Sequence, residues 1–102
     1  MDEELLERVR AVLAADERVQ EKRMVGGRSF LCAGRLCCGV NRHGLVVRVG
    51  PGGAAEALAQ PHVNPLVMGK ETVESFVVVA PAGVADDADL VRWVRRGIAA
   101  VA

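Results

Sequence analysis

The stretch Arg28-Ser29-Phe30-Leu31-Cys32-Ala33-Gly34-Arg35-Leu36-Cys37-Cys38-Gly39-Val40-Asn41-Arg42-His43-Gly44-Leu45-Val46-Val47-Arg48-Val49 decides the fold. Short apolar runs, Arg28–Ala33, Leu36–Asn41 and Leu45–Val49, are cut by Ala33-Gly34 and by Arg42-His43-Gly44. Turn residues at that spacing predict an antiparallel meander. Side chains alternate between the faces of a strand, which places Phe30, Cys32, Leu36, Cys38, Val40, Leu45, Val47 and Val49 toward covering helices. Ser29, Leu31, Arg35, Cys37, Asn41, Val46 and Arg48 then share the other face. That set is only partly polar, whereas the solvated face of an antiparallel sheet is ordinarily more so. A partner is therefore expected to cover the surface formed by Leu31, Arg35, Cys37, Val46 and Arg48.

Working outward, Glu3 to Ala15 predicts an amphipathic helix. Leu5, Leu6, Val9, Val12 and Leu13 repeat at its period, with Asp2 as the cap and acids in the first turn. Val19–Val25 is either an additional strand or an extended lead into the first one, and Gly26-Gly27 marks a bulge or a sharp bend. Downstream, Gly50-Pro51-Gly52-Gly53 leads into a short helix from Ala54 to Ala59, stopped by Pro61. Leu66–Met68 reads as a brief edge strand and Glu74–Ala80 as a strong strand. The last helix starts near Asp86 or Asp87, with Leu90, Trp93, Val94, Ile98 and Val101 as its apolar stripe. Gly97 costs that helix about 1 kcal/mol relative to alanine, so close packing against a neighbour is expected there. The predicted order is α, three or four β, α, one or two β, α.

Length allows one packed core in 102 residues, and a composition 51% hydrophobic and 25% charged excludes a disordered chain. Apolar runs such as Phe76–Ala82 are far too short to span a membrane, and the acidic opening Met1-Asp2-Glu3-Glu4 is unlike a signal peptide. Three cysteines, an odd number, fit a reducing compartment, so a cytoplasmic location is expected. Only three aromatic side chains and a net charge of zero weigh against nucleic acid. The charge is nonetheless uneven: residues 18–48 hold seven bases and one acid. These are read as solvated strand faces. Direct binding of nucleic acid or an anion by the basic meander (Arg23, Arg28, Arg35, Arg42 and Arg48) stands as the alternative.

No catalytic, metal-binding or cofactor-binding residue is expected. Cys32, Cys37 and Cys38 lack Cys-x-x-Cys spacing, and neighbours in a strand point to opposite faces, so Cys37 and Cys38 need a bulge to share an ion. Cys32 and Cys38 read as small buried hydrophobes. Cys37, assigned to the open face, is the thiol on which a sensor would rest. Ser29 and Ser75 sit in no nucleophile elbow, while His43 and His62 read as loop residues. The acids cluster at helix starts, where capping accounts for them. Gly69-Lys70-Glu71-Thr72 misses the phosphate-loop spacing, and Gly50-Pro51-Gly52-Gly53 reads as a plain turn.

Glu21-Lys22-Arg23-Met24-Val25-Gly26-Gly27, the Gly34 turn, Cys38-Gly39-Val40, Leu45–Val49, Phe76–Val79 and the late Trp93 together resemble the N-terminal domain of the TfoX/Sxy competence regulators. The likeness runs from about Leu5 to Val101. Its most specific part is Arg23, Met24, Gly26 and Gly27, where the family usually has Phe in place of Val25. The resemblance implies an α+β fold with a two-layer arrangement of antiparallel sheet and helices, order α-β3-α-β2-α, similar to secretion chaperones and tending to dimerise. Full-length members are transcriptional co-regulators acting alongside a cyclic-AMP receptor protein and carry a second domain. Residues 1–102 are read as one stand-alone domain of this kind: non-enzymatic, without cofactors, a homodimer with an unidentified protein partner, and not attached to a membrane.

Overall fold

In the computed structural model, which describes residues 1–24 and 26–101, the meander forms the middle of a six-stranded antiparallel sheet. The elements are α1 (Glu3–Leu13), β1 (Val19–Met24), β2 (Gly27–Cys32), β3 (Arg35–Asn41), β4 (Gly44–Arg48), α2 (Ala54–Leu58), β5 (Val63–Met68), β6 (Glu71–Val79) and α3 (Asp87–Val101). A 3-10 turn, Pro81–Val84, leads into α3. Strand order is β1-β2-β3-β4-β6-β5. The architecture is α+β, as expected. Four strands precede α2, where the resemblance implied three, because Val19–Met24 pairs with β2 along its whole length.

Helix α1 starts where Asp2 Oδ1 accepts the Leu5 N–H at 2.9 Å, satisfying a donor that the first helical turn leaves free. It buries Leu5, Leu6, Val9 and Leu13, and α3 buries Leu90, Trp93, Val94, Gly97 and Val101. These meet Phe30, Cys32, Val40, Leu45, Val47, Val77 and Val79 in one core. Each large apolar side chain removed from water there contributes roughly 1.5–3 kcal/mol. Both helices therefore cover the same face of the sheet.

Two irregularities set which side chains face where. Between β2 and β3, Phe30 pairs with Cys38 but Leu31 pairs with Leu36, which leaves Cys37 as an extra residue. This bulge reverses the alternation before it, since a one-residue slip moves each side chain to the opposite face. The hairpin beyond it closes through Ala33 (φ 53°) and Gly34 (φ 83°), the two left-handed positions of a type I′ turn. The second irregularity lies in the β5–β6 ladder, between Pro65 and Leu66. Ahead of it, Ala80 N donates to His62 O at 2.8 Å. Residues 62 and 64 therefore turn their backbone groups to β6, and Val63 and Pro65 turn theirs to the free edge. The nitrogen aimed outward at Pro65 carries no hydrogen.

Candidate functional site

The bulge redistributes the five residues expected on the open face. Leu31 remains there beside Leu36, and Val46 and Arg48 also stay. Arg35 pairs with Cys32 and so belongs to the helix-facing side, at the exposed end of the hairpin. Cys37 is fully buried in the main core with Cys38, not open to solvent. The alternation rule misassigned Leu36, Arg35 and Cys37 because an inserted residue leaves no mark on the hydrophobic pattern.

The open face carries its own small core. Val46, Phe76 and Val78 are 1%, 9% and 4% exposed, and Leu36, Leu66 and Val73 pack against them. Arg48 closes the group from one side. Its guanidinium lies 4.7 Å from the Phe76 ring centroid, and Nε donates to Leu36 O at 2.6 Å. A cation held over an aromatic face and bonded to a carbonyl covers apolar surface with its stem while satisfying its charge. Val46, Phe76 and Val78 are thus buried by the chain's own side chains. Among the described residues the most exposed large apolar side chains lie at the tip of the β5–β6 hairpin, where Val67 and Met68 are 55% and 62% exposed.

The five arginines of the basic meander do not line one surface. Arg23 and Arg28 are directly opposed on the helix-facing side, where Glu21 draws Arg10 of α1 to 2.6 Å and Arg28 to 3.6 Å. Arg42 lies in the β3–β4 turn beside His43, Arg35 at the other end of the sheet, and Arg48 on the open face. An electrostatic footprint for nucleic acid needs cations clustered on one face. The Arg10–Glu21–Arg28 link was not foreseen from sequence, since its partners come from different elements. The hydrogen bond from Arg10 holds the Glu21 carboxyl below its ordinary range, with the charges of Arg10 and Arg28 adding to it.

The motif residues have backbone roles. Gly26 adopts φ 78°. A Cβ on Gly27 would sit 1.9 Å from Val40 O, so only glycine fits where β2 begins against β3. Met24 lies over Gly39, and Arg23 is exposed. Val25, where the sequence departs from the family pattern, lies outside the described residues.

All three cysteines are free and buried. Cys37 Sγ donates to Phe30 O at 3.2 Å and stands 4.0 Å from Cys38 Sγ. Its neighbour holds the Cys37 thiol below the ordinary range, while Cys37 and burial together drive the Cys38 thiol well up. Among the described residues no group of three or more His, Cys, Asp or Glu side chains is placed to hold a metal ion, and no helix is long and apolar enough to cross a membrane. A shallow groove of about 590 Å³ runs between the end of α1 and α3, floored by Val12, Leu13, Val91 and Ile98 with Arg95 at its rim.

These features define an α+β domain whose sheet is covered by helices on one side and by its own side chains on the other. Residues 11–101 match the model of the TfoX N-terminal domain, and the chain belongs to that family. No curated protein and no solved structure is significantly similar to it.

Proposed function

We propose that the chain is a non-enzymatic, cytoplasmic interaction domain that acts in regulation through protein contacts, first of all as a homodimer. The observation that carries this reading is the hairpin tip, where Val67 and Met68 stand exposed at the end of a strand, β5, that contains no charged residue. The opposite edge, β1, carries Glu21, Lys22 and Arg23, the kind of charge that discourages association at a sheet edge. One margin of the sheet is therefore guarded by charge and the other is not. Val67 and Met68 lie on opposite faces of the hairpin tip, so a partner that embraces the tip meets an apolar side chain on each side, the methionine an adaptable one. Pro65 favours contact through side chains over a continuous strand ladder. Membership of the TfoX N-terminal family fits a role exercised through partners.

Size-exclusion chromatography with light scattering tests the reading. The wild type is expected to run as a dimer, and Val67→Lys with Met68→Lys as a monomer with an unchanged melting temperature. A wild type that stays monomeric at high concentration would overturn the dimer, and a double variant that still dimerises would move the contact elsewhere.

A further inference from the structure

The bulge in β3 does something that a regular strand forbids. Neighbouring side chains on a strand point to opposite faces, so two adjacent cysteines ordinarily cannot meet. Here the extra residue places Cys37 and Cys38 on the same side, within the same core, with sulfurs 4.0 Å apart. We infer that Cys37 and Cys38 are a site of reversible oxidation by small hydroperoxides, closing to a disulfide between adjacent residues.

The chemistry divides between the two thiols. Cys37, whose proton is the more easily lost of the pair, attacks the peroxide as thiolate; an S–O bond forms, the O–O bond breaks, and alcohol or water leaves. The Cys38 sulfur then attacks the Cys37 sulfenic acid. The S–S bond forms, the S–O bond breaks, and the hydroxide departs with the Cys38 proton as water. In sum, two thiols and one hydroperoxide give one disulfide, one alcohol or water, and one water. A dithiol reductant reverses it once the chain opens, and the adjacent positions, with Cα atoms about 3.8 Å apart, lie below the usual disulfide separation and favour that reversal.

Burial selects the oxidant. Both cysteines are 0% exposed, so oxidation requires local opening of the core, and an opening that admits a molecule the size of hydrogen peroxide is smaller than one that admits glutathione disulfide. The site also has a built-in consequence. The Cys37 carbonyl is the surface on which Gly97 of α3 rests, and drawing the sulfurs together from 4.0 Å turns the backbone at that seat. Trp93, one helical turn before Gly97 and 1% exposed, reports the change.

Trypsin separates the candidates, because cleavage after Arg35 and Arg42 yields one peptide holding Cys37 and Cys38 and a different one holding Cys32. Wild-type protein treated with hydrogen peroxide, unfolded, alkylated and digested is expected to show the Leu36–Arg42 peptide lighter by two hydrogens and unalkylated. Cys32 stays alkylated, and dithiothreitol restores all three thiols. Glutathione disulfide is expected to leave the peptide unchanged, and Trp93 emission to shift only with peroxide. In Cys38→Ser the reaction is expected to stop at a Cys37 sulfenic acid that dimedone traps. A wild-type peptide that gains oxygen without losing hydrogen, that stays fully alkylated at peroxide doses oxidising free cysteine, or that links through Cys32 would each overturn the inference.

Discussion

Gly97 of α3 lies against the carbonyl oxygen of Cys37, so close that a Cβ on Gly97 would sit 2.3 Å from it. The bulge pushes that carbonyl toward the helix, and the missing side chain lets α3 settle on β3. Gly97→Ala brings a helix-propensity gain of about 1 kcal/mol against overpacking into backbone that cannot rotate away. A net loss of about 1–2 kcal/mol is expected in urea unfolding. Gly52→Ala, where a Cβ would meet open space, is expected to change stability by less than about 0.5 kcal/mol.

Arg48 closes the second core on the open face. Arg48→Ala removes the guanidinium over Phe76 and frees the Leu36 carbonyl, with an expected loss of about 1–2 kcal/mol. Increased binding of a hydrophobic dye should accompany it, as Phe76 and Val46 become accessible. A variant as stable as the wild type would show that the packed valines carry this face alone.

Glu21 joins α1 to the β1–β2 ribbon, and Arg10 lowers its pKa in the folded state. A folded carboxyl that holds its proton less tightly than the unfolded one stabilises the fold above the unfolded value of about 4.3. That contribution is lost as pH falls through the lower, folded value. Glu21→Gln is therefore expected to be less stable than the wild type at pH 6 and to lose less stability on acidification. Parallel acid limbs in urea midpoints taken from pH 6 to pH 3 would refute the assignment.

Ala33 holds φ 53° in the β2–β3 turn, a conformation that costs a residue with a Cβ roughly 1–2 kcal/mol. Asparagine tolerates it better and is common at this position of a type I′ turn. Ala33 is exposed, so no packing is disturbed. Ala33→Asn should raise stability by up to about 1 kcal/mol, read as a higher melting temperature.

Much of this architecture was legible from the pattern of apolar residues. The stripe Leu5, Leu6, Val9, Leu13 announces α1, and the alternations around Val40 and Val47 announce the centre of the sheet. Strand β1 was ambiguous because Gln20, Glu21, Lys22 and Arg23 give it no apolar face; an edge strand takes its place from backbone pairing. The surface was harder still. Cys37 was misplaced because the bulge is a matter of register between two strands, and one sequence records only the composition of each. The tip at Val67 and Met68 went unmarked because their exposure depends on how far the β5–β6 hairpin projects.

Pro65 sits where β5 turns its backbone to the free edge, and the missing hydrogen there has a consequence for the protein in a crowded cell. A chain added along that margin meets a gap in the donors it would bond, so sheets cannot stack end on end into a filament without interruption. The two margins are thus guarded by unlike means, charged side chains along one and an absent donor along the other. Resistance to fibre growth on the apolar side then rests on this imino acid and the irregularity that follows it, and replacing Pro65 by valine would leave the folded monomer intact while giving a seed one of its missing contacts.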